Sequence, residues 1–182
     1  MLIQELSQED NIRLLSHMHL GRLGCAQGAQ PYVVPISFAY NNNYLYSFAT
    51  VGQKINWMRA NPLVCVQADQ VMSDEEWVSL VIFGRYEELP DTPERKHDRE
   101  RAFQLLQQRA NWWEPGYAKT IVHHAERRLD PVYFRIQIAQ ITGLHGASEP
   151  APGVELKPPA VLASSKHIRD IMASLRKKMF SA

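Results

Sequence analysis

The sequence predicts a mainly β chain with flanking helices, an α+β fold. From Arg22 onward apolar residues recur at period two, in runs bounded by Gly, Asn and Pro. Only three segments before residue 143 show helical spacing. With 182 residues, 45% hydrophobic and 21% charged, the chain is long and apolar enough to build one core without metal or disulfide.

Ser7-x-x-Asp10 resembles a capping box and opens a helix with Ile12, Leu15 and Met18 on its apolar face, closed by Gly21. Leu23–Ala26 reads as a strand, Gln27–Gln30 as its turn, and Tyr32–Tyr40 as a longer strand. Pro35 cannot donate to a ladder, so that strand lies at an edge, is bulged, or leaves its backbone open there. Asn41-Asn42-Asn43 suits a tight turn, and Tyr44–Thr50 returns as the hairpin partner. Gly52 to Ala60 is a short helix with Ile55 and Met58 on one face, stopped by Asn61-Pro62. Leu63–Ala68 and Trp77–Glu87 are further strands around the acidic turn Ser73–Glu76. Thr92-Pro93 starts a helix running from Glu94 to Ala110 that buries Ala102, Phe103, Leu106 and Ala110. A loop with Trp112 and Trp113 follows, then the strand Val132–Ile138. Residues 146–160 hold four of the eleven prolines and two glycines and read as a linker after a domain of residues 1–145. Residues 161–182 close the chain, with Ser164–Phe180 as a basic amphipathic helix expected to dock on the body or on a second subunit.

Composition excludes several function classes. Twenty basic against nineteen acidic side chains leave a net charge of +1, without the basic stripe of a nucleic-acid binder. Cys25 and Cys65 form no CxxC pair and read as buried thiols of a reducing compartment. No targeting signal opens the chain, and no apolar run approaches the ~18 residues of a membrane helix. A soluble, cytoplasmic protein is expected. No metal site is expected, because His17 and His19 diverge on their helix and His123-His124 lack further ligands. Nucleophile-elbow, Walker and dinucleotide-turn motifs are missing.

The most informative stretch is PYVVPISFAYNNNYLYSFATVGQKINWMRANP, residues 31–62. It is strand, hairpin, strand, then Thr50-Val51-Gly52-Gln53-Lys54 at a helix start. Free N–H groups and the positive end of the helix dipole make such a terminus an anion site. Thr50, Gln53 and Lys54 add a hydroxyl, an amide and a charge. Taken alone, this equally describes an ordinary helix with a solvated lysine.

The order GRLG (21–24), PYVVPISFAY (31–40), LYSFATVGQKINWMRANP (45–62) and WVSLVIFGRYEEL (77–89), with ITG (141–143), resembles the FMN-binding split-barrel family. That is the pyridoxamine-5′-phosphate-oxidase-like superfamily, nearest its flavin-nucleotide-binding, nitroimidazole-reductase-like branch. The resemblance implies an antiparallel split β-barrel, homodimeric, with FMN at the subunit interface. It implies that Val34, Pro35, Ile36 and Ser37 run beside the isoalloxazine ring. Phe48, Ala49 and Thr50 would line the ribityl chain, and Gln53 and Lys54 would hold the phosphate. Relatives often carry Arg or His where Gln53 stands, so this chain brings less charge. Trp77 either borders the ring or is a core tryptophan. Of Trp112 and Trp113, one, with Trp113 preferred, either reaches the partner's flavin or plugs the dimer seam.

The implied function is an FMN-dependent oxidoreductase reducing a small planar or nitro-aromatic acceptor, with NAD(P)H or a reductase partner as donor. The rival readings are a flavin-binding carrier or sensor, and the same barrel loaded with F420 or haem.

Overall fold

The computed structural model describes residues 1–108, 120–122, 125–127, 131–149 and Pro159. Trp112, Trp113, Ala110, most of the 146–160 segment and the helix expected over Ser164–Phe180 lie outside the described residues. The elements are β1 (Leu2–Glu5), α1 (Gln8–His17), β2 (Leu20–Gln27), β3 (Gln30–Ser37), β4 (Ala39–Asn41), β5 (Tyr44–Thr50), α2 (Gln53–Ala60), β6 (Leu63–Ser73), β7 (Glu76–Glu88), α3 (Lys96–Gln107), β8 (Thr120–Val122), β9 (Ala125–Arg127) and β10 (Pro131–Ala147). They fall into two compact units: Met1–Leu14, Asp69–Leu80 and Thr142–Ala182 form the first, Leu15–Ala68 and Val81–Ile141 the second.

The strand order is β3-β2-β6-β7-β10-β5-β4, with antiparallel ladders between β2 and β3, β2 and β6, β4 and β5, and β5 and β10. The Asn run makes the expected turn: Asn42 and Asn43 take φ of 45° and 64°, the left-handed pair a two-residue hairpin needs. β3 ends the strand order, so Pro35 sits on an edge as its chemistry requires. The register supplies the detail. Phe38 N–H donates to the His19 carbonyl at 2.9 Å, which makes Leu20–Ser37 a non-hydrogen-bonded pair. By alternation Arg22–Pro35 is another, so the N–H that proline lacks would have pointed out of the sheet.

Gly21 does not close α1. It lies buried inside β2, where a Cβ would stand 2.9 Å from Val66 Cγ1 and 3.1 Å from Phe38 Cε1. The helix ends at His17, and glycine is there for close packing. α3 is shorter than expected and buries Ala102 and Leu106 against Ala39, Tyr46, Leu89 and Tyr133. Phe103, expected in the core, is 40% exposed and touches Tyr133 edge-on. Arg135 of β10 ties three elements together. Its Nε donates to Glu87 of β7 at 2.8 Å, its Nη1 lies 3.2 Å from Asp98 of α3, and its guanidinium lies over the Tyr44 ring.

In the first unit β1 pairs antiparallel with the end of β10, from Leu2–Ala147 to Glu5–Leu144. Four residues with three exposed side chains carry no period, so this strand is not visible in the sequence. The Ser7 cap forms as expected: Asp10 N–H donates to Ser7 Oγ, and Ser7 Oγ donates to Asp10. The inward face of α1 differs from the expected one. Asn11, Leu14, Leu15 and Met18 are buried, at i, i+3, i+4 and i+7, while Ile12 is exposed. A buried asparagine disguises that stripe. Gly143 makes room for it, since a Cβ there would collide with Asn11 Oδ1.

Asn11 Oδ1 and both ring nitrogens of His145 are buried without a hydrogen-bond partner among the described residues. His145, 1% exposed, stands opposite Gln4 of β1. Burial holds its imidazole below the usual histidine range, and the Glu76 carboxylate partly opposes this. The unfolded chain therefore takes up this proton first, near pH 6.5. Stability is full above that value and is lost as pH falls toward the depressed folded value, by at most about 1.4 kcal/mol per pH unit. Urea unfolding should show a steeper loss below pH ~6.5 in wild type than in His145→Gln. Parallel pH profiles would remove His145 from the account.

Candidate functional site

The stretch that stood out in the sequence is gathered in the second unit, around the start of α2. Gly52 is the N-cap in extended conformation, with no side-chain cap and no acidic residue in the first turn. The leading N–H groups are thus left to whatever approaches the terminus. Ile55 and Met58 are fully buried and seat the helix. Its far end is bolted down: Arg59 donates from Nε and Nη2 to Glu88 at 2.8 and 2.7 Å, and Tyr86 Oη donates to Glu88 at 2.9 Å. Asn61 adds a side-chain bond to the Ala26 carbonyl, and Trp57 meets Tyr32 edge-on. Arg59, Tyr86 and Glu88 were not legible as a group, because Arg59 lies on α2 and its two partners lie far along the chain on β7.

Lys54 is half-buried beside Cys25 of β2. Burial lowers its pKa from the ordinary lysine range, and the Cys25 thiol partly offsets this. Burial, helped by Cys65, pushes the Cys25 thiol up, while Lys54 pulls it down. No carboxylate faces Lys54 among the described residues, whereas Arg13, Arg59, Arg95 and Arg135 are all paired with one. A partly desolvated cation without a counter-charge at a helix start is arranged to receive an anion.

β5 leads into this terminus. Leu45, Ser47 and Ala49 point into the core, while Tyr44, Tyr46 and Phe48 face α3. The Phe48 ring stacks on Tyr133, so Phe48 brings its main chain rather than its ring to the other side. Ser47 Oγ donates to the Ser37 carbonyl at 2.7 Å and draws the end of β3 to β5. On β3, Ile36 is buried, Val34 and Ser37 are half-buried and Pro35 is exposed. The Pro35 carbonyl and the Ser37 N–H point away from β2, as the register above requires. In chain order, β3 offers an acceptor at Pro35 and a donor at Ser37, and the step from β5 into α2 carries the Thr50 hydroxyl, the Gln53 amide and the Lys54 ammonium. Such a donor set fits a ligand with a polar heteroaromatic edge and a phosphate, which is what a flavin nucleotide presents.

Trp77 lies in the first unit, its indole over Gly146, where a Cβ would collide with the ring. Trp113 is outside the described residues. The opposite face of β3, β2 and β6 was not anticipated. Val33, Gly24 and Cys65 line up across the three strands, and on that same face Leu20, Val33 and Leu63 are 57%, 63% and 65% exposed.

Eight strands in one mainly antiparallel sheet, with three flanking helices among the described residues, define a fold of the split-barrel type. Residues 7–145 match the pyridoxamine 5'-phosphate oxidase family, and the chain belongs to that family. It is 38% identical to the uncharacterized protein RA0666 of Rhizobium meliloti (strain 1021), over 79% of this chain and 95% of that one. Among solved structures, it is similar to a FAD-binding protein of Mesorhizobium loti, with 41% identity and a TM-score of 0.68, covering 81% of this chain and all of that one. At 16% identity and a TM-score of 0.55, a protein of Bacteroides thetaiotaomicron described as a 5-nitroimidazole antibiotic resistance protein shares the fold, over 80% and 89% of the two chains.

Proposed function

We propose that the chain is an FMN-dependent oxidoreductase that reduces a small planar or nitro-aromatic acceptor, as a homodimer with FMN at the subunit interface. The observation that carries this reading is Lys54, a half-buried cation at the bare N-terminus of α2 with no carboxylate facing it among the described residues. In this reading Gln53 and Lys54 hold the phosphate, and Phe48, Ala49 and Thr50 border the ribityl chain. Val34, Pro35, Ile36 and Ser37 lie along the ring. One lysine beside a neutral glutamine suits a single phosphate, which favours FMN over FAD. The bound flavin supplies the electron chemistry, and the chain supplies position, electrostatics and shelter. NAD(P)H or a reductase supplies the electrons. The exposed apolar face of β3, β2 and β6 supports pairing of two chains, since an exposed patch of that kind marks an interaction surface.

Titrating the whole chain with FMN, FAD and riboflavin while recording absorption tests this. The expected result is twin flavin bands, tightest binding for FMN, and light scattering that gives two chains with two flavins. Oxidation of NAD(P)H with a nitro-aromatic acceptor then separates the enzyme from a carrier or sensor. A chain that takes up no flavin overturns the reading.

A further inference from the structure

We propose that Ser47 is a positioning residue for the ligand-facing edge of β3, and that it makes this edge a hydrogen-bond donor at Ser37. The inference rests on the flavin reading and goes beyond it, because Ser47 is no part of the cofactor wall that the family resemblance implies.

Ser47 is 1% exposed, and a buried hydroxyl needs a partner. Its partner is the Ser37 carbonyl, at 2.7 Å. Ser37 is the last residue of β3, in a non-hydrogen-bonded pair with Leu20, so its N–H and carbonyl both point out of the β2–β3 ladder. A ligand meeting this edge would otherwise find a donor and an acceptor side by side. The Ser47 hydroxyl engages the acceptor and leaves the donor. Two residues earlier Pro35 has no N–H and offers only its carbonyl. The edge thus reads acceptor at Pro35 and donor at Ser37, and the two single-purpose positions have separate causes. This is the complement of a pyrimidine edge, where a ring N–H stands beside a carbonyl oxygen. A donor on that oxygen also favours negative charge on the ring, and so the reduced flavin.

The test compares wild type, Ser47→Ala and Ser47→Thr by flavin titration, absorption and the midpoint potential of bound flavin. Ser47→Ala should weaken FMN and riboflavin alike by about three- to tenfold, as loss of one neutral hydrogen bond implies. It should also shift the flavin absorption bands and make the midpoint potential more negative. Ser47→Thr, which keeps the hydroxyl, should restore band position and potential. A folded Ser47→Ala protein with wild-type bands and potential overturns the inference while the flavin reading stands. A wild-type chain that binds no flavin overturns both.

Discussion

Lys54→Ala should raise the FMN dissociation constant about tenfold to a hundredfold and leave riboflavin binding nearly unchanged. Lys54 is the one charged group at the start of α2, and the first turn carries no acidic residue that would compete for it. Its ammonium is already half-buried, so part of the desolvation that phosphate binding demands is met in the folded chain. A charge-assisted hydrogen bond in that setting is worth about 1.5–3 kcal/mol. Riboflavin lacks the phosphate and does not meet the lysine. Lys54→Arg keeps the charge and should retain most of the affinity, which separates charge from packing beside Cys25. Isothermal titration with both ligands reads the difference. Equal losses for FMN and riboflavin would show that Lys54 holds the fold of the site and not the phosphate.

Arg135→Met should cost about 3 kcal/mol of folding stability and lower the melting temperature by roughly 10 °C. The guanidinium is largely buried, bonds Glu87 at 2.8 Å, lies 3.2 Å from Asp98 and covers Tyr44. Methionine matches much of the stem but leaves Glu87 without its cation and Asp98 with Arg95 alone. The loss is therefore larger than that of an exposed pair, which is typically below 1 kcal/mol. Adding Glu87→Gln and Asp98→Asn to Arg135→Met should recover much of it, because the penalty is mostly the stranded charge. A triple variant no more stable than Arg135→Met would place the cost in packing. Flavin binding per folded chain is expected to be unaffected, since none of these residues borders the α2 terminus.

Most elements were legible because their signals are local. The Asn run, the cap at Ser7, Pro35 and the Ile55–Met58 stripe of α2 each act within a few residues, and each appears where the pattern put it. The strand ends were not. β6 runs to Ser73 and β10 to Ala147, well past Ala68 and Ile138, through stretches such as Asp69-Gln70 and Ala139-Gln140 that have no apolar alternation. Their neighbours in the sheet, not their own side chains, keep them extended.

By itself, the sequence determined the order of α1, β2, β3, β5, α2, β6, β7, α3 and β10, the break that Pro35 puts in a ladder, and the four motifs that point to the family. Each rests on residues close together in the chain, where periodicity and capping operate. Only the tertiary structure decided that Asn11 and not Ile12 faces inward, that Gly21 packs a strand, and that among the described residues Lys54 meets no carboxylate while Arg135 meets two. It alone joined Ser47 to Ser37 and left His145 buried. These are relations between residues ten to well over a hundred positions apart. Burial and counter-charge are properties of the space around a side chain, and that space exists only once distant strands have paired.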